Sequence, residues 1–117
     1  MIGRLSSVVL DCPDPHALAS FYSQVLGLPI TRVDDDWVDV GDQRTGRLSF
    51  QLAPDHRSPR WPDPAFPQQF HLDIRVDDIE EAEPRVLALG ATWLSSAEPG
   101  FRVYADPAGH PFCLEWD

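Results

Sequence analysis

The sequence predicts an α+β fold built from two βαβββ units in tandem, and three observations carry that prediction. Residues 6–30, SSVVLDCPDPHALASFYSQVLGLPI, and residues 70–94, FHLDIRVDDIEEAEPRVLALGATWL, repeat one order: a β-prone strand, an Asp, and a helical stretch closed by Leu-Gly. Each copy is then followed by three short strand-like runs separated by Gly, Asp and Pro, the usual turn formers. Between the copies lies APDHRSPRWPDPAFPQQ (53–69), whose five prolines exclude a helix or a central strand because proline fixes φ and donates no hydrogen bond. That tract is a linker or an ordered loop. The boundaries follow: unit one over about 4–53, the Pro-rich segment over 54–68 and unit two over about 69–117, together one domain spanning 1–117.

In the first unit SSVVLDC supplies the opening strand. Asp14 fits a helix N-cap, and Pro15 fits the first helical position, where its missing N–H costs nothing. Ala17, Leu18, Phe21, Tyr22, Val25 and Leu26 recur at helical spacing and form one apolar stripe, and Gly27 suits the left-handed residue that ends a helix. LPITRVDD, WVDVGD and GRLSFQLA are the three strands that follow. The acidic run Asp34-Asp35-Asp36 reads as a charged hairpin tip and lacks the spaced pattern of a calcium loop.

In the second unit FHLDIRV is the opening strand. Asp78 with Glu81 makes a capping-box pattern, and Ile79, Ala82, Val86 and Leu89 lie along one helical face. Pro84 is expected to kink this helix or split off its first turn. Asp14 and Asp78 are offset by 64 residues but Gly27 and Gly90 by 63, so one residue is gained or lost inside the helical segment. ATWLSSA, FRVYAD and HPFCLEWD complete the unit. A sheet carrying one helix leaves its other face in need of cover, and pairing two halves supplies it with a cleft between curved sheets.

Composition narrows the function classes. The chain has 117 residues, one domain's worth, and 43% hydrophobic residues, enough for a core. Nine basic residues against 19 acidic ones leave a net charge of −10, which argues against nucleic acid and against an anionic membrane surface. No long apolar run is present and the N-terminus lacks a signal-peptide core, so a cytoplasmic protein with no membrane segment is expected. There is no Lys, which excludes Schiff-base catalysis and a phosphate-loop lysine. The absence of Asn excludes N-glycosylation. Cys12 and Cys113 have no metal or redox spacing and read as two buried thiols.

The βαβββ tandem, VVLDCPDPHALASFY with VLGL after it, the Trp-Pro-Asp-Pro linker, FHLDIRVDD and DPAGHPFCLEW together resemble the vicinal oxygen chelate superfamily, and within it small bacterial glyoxalase-like domain proteins. The superfamily includes glyoxalase I, bleomycin-resistance and extradiol-dioxygenase proteins, so fold leaves function open. In metal-using members the ligands come from the first and last strands of each unit. Carried over by position, that set is Ser7, Gln51, His71 and Cys113, with Glu115 two residues on from Cys113 and on the same strand face. The resemblance therefore implies a divalent metal held by His71 with Glu115 or Cys113 and Gln51. The donors argue against it, because Ser7 is a poor ligand, Gln51 a weak neutral one and Cys113 useful only as a thiolate. The resemblance also implies a homodimer.

Two functional classes compete. One is a binding protein for a small, partly apolar or aromatic molecule, with a degenerate metal site. The other is a metal-dependent lyase, isomerase or dioxygenase. Candidate ligand-binding residues are Ser7, Trp37, Gln51, Trp61, His71, Asp73, Arg75, Tyr104 and Cys113. His71 is either a metal ligand or general base, or a histidine hydrogen-bonded in the cleft floor. Asp73 and Arg75 alternate with Leu72, Ile74 and Val76, which puts them on the cleft side, where they pair with adjacent strands or Arg75 meets a ligand anion. Trp61 and Phe66 either pin the Pro-rich segment down or close over a flat ligand. His110 reads as structural, and His16 and His56 as solvated.

Overall fold

A computed structural model describes residues 1–117 and contains ten elements: β1 (Val8–Cys12), α1 (Pro15–Leu26), β2 (Ile30–Val33), β3 (Trp37–Asp42), β4 (Gly46–Leu52), β5 (Leu72–Arg75), α2 (Ile79–Ala88), β6 (Thr92–Ser95), β7 (Phe101–Ala105) and β8 (Pro111–Glu115). They form two four-stranded mixed sheets, ordered β1-β4-β3-β2 and β5-β8-β7-β6, each with one helix, in two compact units of residues 1–56 and 57–117. Both units read β-α-β-β-β. No helix is long and apolar enough to cross a membrane.

In unit one, β1 runs parallel to β4 and β3 antiparallel to it. The alternation Trp37-Val38-Asp39-Val40 sends Val38 and Val40 to the side that α1 covers. Leu10, Cys12 and Phe50 join them there, all buried. The α1 helix begins where Asp14 accepts the Ala17 N–H at 3.1 Å, and it ends at Gly27, whose φ of 65° a side chain would resist. Its buried residues are Pro15, Leu18, Ala19, Phe21 and Tyr22. Ala17 is exposed instead, because the stripe is centred one position further round, on Ala19. Tyr22 stacks on Phe50 with centroids 5.7 Å apart and meets Phe21 edge-on at 4.9 Å. Burying each such side chain contributes roughly 1.5–3 kcal/mol, and these apolar contacts hold α1 against the sheet.

Unit two repeats the topology but anchors its helix differently. Phe112 and Leu114 are fully buried, Tyr104 stacks on Phe112 at 5.6 Å, and only Ile79 and Val86 of α2 are buried. Charge does the remaining work: Arg102 on β7 binds Glu83 and Glu80 of α2, and the Tyr104 hydroxyl donates to Glu83 at 2.7 Å. The two donors hold the Glu83 carboxyl below its ordinary value, Tyr104 first and Arg102 second. The expected split at Pro84 does not occur, and α2 is one helix over ten residues. The carbonyl that loses its donor is that of Glu80, in the exposed first turn, where water can replace the bond. Asp78 caps through the Glu80 N–H and not through that of Glu81.

The Pro-rich tract proves to be an ordered loop that from Arg57 onward belongs to unit two. Ser58 donates to the Ala108 carbonyl at 2.6 Å, the Arg60 N–H bonds the Phe66 carbonyl, and the Arg60 guanidinium sits 4.3 Å over the Phe66 ring. Trp61, half-buried, precedes a cis peptide bond to Pro62. The β7–β8 turn beside it is tied by Asp106, which accepts the Ala108 and His110 N–H groups and meets the His110 ring at 2.8 Å. His110 is therefore structural as expected, whereas His56 is half-buried and not in open solvent.

Candidate functional site

The side of each sheet away from its helix collects the polar residues, by the same alternation that builds the core. In unit two the register pairs Asp73 with Cys113 and Arg75 with Glu115 across β5 and β8, so all four side chains share one face. His71 lies just before β5, and its Nε2 is 3.1 Å from Oδ1 of Asp73. The ligand atoms of His71, Asp73 and Cys113 all fall within 4.8 Å of one another. Cys113 is 7% exposed, and its thiol is pushed up to about 11 by burial first, then by the charge of Asp73 and a hydrogen bond to it. Further along the face Arg75 binds Asp117 at 2.6 Å and Glu115 at 3.3 Å, Asp117 being the main cause of its raised pKa.

In unit one two rows cross the same side of the sheet. Trp37, Gln51 and Asp11 align in one, and Asp39, Ser49 and Val9 in the next. Ser7 reaches Ser49 at 2.5 Å. Ser49 gives its single proton to Oδ1 of Asp39 at 2.6 Å, so Ser7 is the donor in their contact. Trp37 Nε1 donates to that same Oδ1 at 2.7 Å. Asp39 and Ser49 are buried, and Trp37 is half-buried.

The structure thus brings His71, Asp73 and Cys113 together in unit two, and Ser7 and Trp37 together in unit one with Gln51 beside them. It separates others. Tyr104 is a correction: it pairs with Phe112 on the helix side of β7, is fully buried, and gives its hydroxyl to Glu83, so it cannot touch a ligand on the polar face. Glu115 does not join the donor group, since its carboxylate turns to Arg75. Trp61 lies in the Pro-rich loop. Asp39 and Ser49 were missed by inspection of the sequence. The signal was available in the strands, because Asp39 is two residues from Trp37 and Ser49 two from Gln51, hence on their faces.

The four positions where the resemblance implies metal ligands do not make a donor set. Ser7 is committed to Ser49, Gln51 offers a neutral amide, and burial and Asp73 raise the pKa of the Cys113 thiol, leaving His71 as the most apt ligand of the four. A different trio converges in His71, Asp73 and Cys113, but it binds a cation fully only after the thiol ionises. An open hollow of about 300 Å³ in unit two, walled by Arg75, Asp77, Asp78, Glu81 and Arg85 at the start of α2, includes neither His71 nor Cys113.

Comparison with known proteins places these features in a family context. The family model described as a glyoxalase-like domain matches residues 7–115. No curated protein matches the chain. Among solved structures, a glyoxalase/bleomycin resistance protein/dioxygenase family enzyme from Burkholderia phytofirmans is similar, with a TM-score of 0.78 and 19% identity over 97% of this chain and 98% of that one. A fosfomycin resistance protein from Listeria monocytogenes has a TM-score of 0.74 and 15% identity, over 100% and 93% of the two chains. The bleomycin-binding protein of bleomycin-producing Streptomyces verticillus, in complex with copper(II)-bleomycin, has a TM-score of 0.61 and 19% identity, over 100% and 99%. At these identities the likeness is one of fold.

Proposed function

The chain belongs to the glyoxalase-like domain family, and from that premise we propose that it binds a small, partly apolar or aromatic molecule at the polar faces of its sheets, without a resident divalent metal. The observation that carries this reading is the donor chemistry at the four implied positions: Ser7 is hydrogen-bonded to Ser49, Gln51 offers a neutral amide, and Cys113 is a buried thiol where a hard divalent ion would favour a carboxylate. Binding of copper(II)-bleomycin by the similar Streptomyces verticillus protein supports the class of function, in that a chain of this fold takes up an organic ligand. The half-buried Trp37 ring and exposed Gln51 amide supply the apolar surface and the hydrogen bonds such a ligand needs. The test is a thermal-shift screen of planar aromatic and mixed polar compounds on untagged protein, with elemental analysis of the same preparation. Ligands that raise the melting temperature, together with well under one ion per chain, are the expected result. Failure of every compound would overturn the binding reading.

One observation favours a second reading, a metal-dependent lyase, isomerase or dioxygenase: the convergence of His71, Asp73 and Cys113. Bound there, a divalent ion would supply polarisation of substrate oxygens. His71, Asp73 and Cys113 would be the residues that hold it, each through one ligand atom, with Nε2 of His71 and Oδ1 of Asp73 already 3.1 Å apart. About one ion per chain, lost in His71→Ala, would establish this reading over the first.

A further inference from the structure

The geometry points to a soft, thiophilic metal ion as the kind of ion that unit two takes up, through a nitrogen–oxygen–sulfur site made by His71, Asp73 and Cys113 in place of the implied ligand set. The inference deepens the second reading above, from which it takes the trio, by naming the class of ion the trio selects.

Strand geometry makes the site. His71 and Asp73 are two residues apart and project to one side of the chain, and the parallel β5–β8 register sets Cys113 beside Asp73. The ligand atoms of all three fall within 4.8 Å of one another. Donors around a shared tetrahedral ion lie about 3.3–3.8 Å apart, given ion–donor distances of about 2.0–2.3 Å. Nε2 of His71 and Oδ1 of Asp73, at 3.1 Å, are already near that spacing. Their side chains are 40% and 52% exposed, so they turn toward the sulfur without disturbing the core. Asp73 lies outside the four positions that the resemblance implies, and it is the residue that joins the other two.

Charge and donor type select the ion. The Asp73 carboxylate and a Cys113 thiolate carry two negative charges, which match one divalent ion beside a neutral imidazole. Arg75, two residues on from Asp73, is bound to Asp117 and Glu115 instead. Hard ions such as Mg²⁺ and Mn²⁺ prefer an octahedron of oxygen donors, and this trio offers one carboxylate. Thiolate and imidazole suit soft and borderline ions, which accept four-coordinate sites. Sulfur binds only as the thiolate, so uptake breaks the Cys113 S–H bond, forms the sulfur–metal bond and passes the proton to solvent. A soft ion gains enough from sulfur to displace that proton at neutral pH, and a hard one does not.

The experiment titrates Cd²⁺, a soft ion, and Mn²⁺, a hard one, into the untagged full chain at neutral pH, in competition with a chromophoric chelator. Ultraviolet absorption from sulfur–cadmium charge transfer is recorded alongside. Cd²⁺ is expected to bind once per chain, at least tenfold tighter than Mn²⁺, and to raise the charge-transfer band. Cys113→Ser should abolish the band, while Asp73→Asn and His71→Ala should each weaken Cd²⁺ at least tenfold and keep it. If Cys113→Ser does not fold, Cys12→Ala decides, because Cys113 is then the chain's single thiol and the band reports its ligation alone. No band, Mn²⁺ bound as tightly as Cd²⁺, or Asp73→Asn protein that binds Cd²⁺ like wild type overturns the inference. None of these outcomes touches the broader readings: the compound screen decides the small-molecule reading, and the ion content of the isolated protein decides the second.

Discussion

Nε2 of His71 stands 3.1 Å from Oδ1 of Asp73, and the Cys113 thiol lies beside the same residue, with the ligand atoms of all three within 4.8 Å of one another. One side chain of β5 thus ties the residue before the strand to the strand beside it. Asp73, which in the sequence is merely the polar residue between two apolar ones, becomes the centre of the polar face of unit two.

The thiol is the first consequence. Cys113 is pushed from an ordinary 9.0 up to about 11, by burial and then by Asp73. A group raised on folding stabilises the fold fully below its unfolded value, and that contribution is lost as pH rises through the folded value. Stability attributable to Cys113 is therefore constant below about pH 9 and falls through about pH 11. Peptide-resolved iodoacetamide labelling against pH should show Cys113 reacting with a midpoint near 11 in native protein. Asp73→Asn should lower that midpoint, and a native midpoint at or below 9 would refute the arrangement.

Metal affinity is the second. Because the Cys113 proton must leave before sulfur can bind an ion, Zn²⁺ should raise the melting temperature little at pH 7 and more at pH 9. His71→Ala should remove the pH-dependent part. A large and pH-independent Zn²⁺ shift at pH 7 would mean that the thiol is not a ligand or not protonated.

The anchoring of α2 gives a third. Glu83 holds both Arg102 and Tyr104, so Glu83→Gln leaves a half-buried guanidinium short of its partner and should cost about 1–3 kcal/mol in chemical denaturation. Tyr104→Phe removes one hydrogen bond and should cost about 0.5–1.5 kcal/mol. Since the Glu83 carboxyl is lowered from an ordinary 4.5, its contribution is present above that pH and lost as pH falls through the depressed folded value. The difference between wild type and Glu83→Gln should shrink accordingly in acid.

A fourth concerns Gly41. It lies in β3 at a φ of 76°, and a Cβ there would run into the Gly46 carbonyl oxygen. Gly41→Ala combines backbone strain with a collision against main chain, and should destabilise unit one by about 1–3 kcal/mol. An alanine variant as stable as wild type would show that the β3–β4 hairpin relaxes freely. Gly27→Ala is the comparison, since φ is 65° there but the space is open, and its cost should be smaller.

Much of this protein was legible one residue at a time. Asp14, Pro15 and Gly27 bound α1 by local hydrogen bonding and dihedral preference, and strand alternation set Asp73 and Arg75 on the face opposite Leu72 and Ile74. Pro84 was misleading because its penalty depends on whether the abandoned carbonyl is wet, which is a property of the packed molecule. Tyr104 was misleading for a related reason. A large ring advertises apolar surface, but which side of the sheet takes it follows from strand pairing, and its hydroxyl found Glu83 on a helix 21 residues away.

Spacing along the chain thus determined the βαβββ tandem, its helix boundaries and the residues on each strand face, because those depend on interactions between near neighbours. Only the tertiary structure decided which of the polar residues act together. Asp73 meets Cys113 across 40 residues through a parallel register, Ser7 meets Ser49 across 42, and Glu115 turns to Arg75 instead of joining His71. Hydrogen bonds and charge pairs require atoms within a few ångströms, and for residues so far apart in sequence that proximity exists only once the sheets have formed.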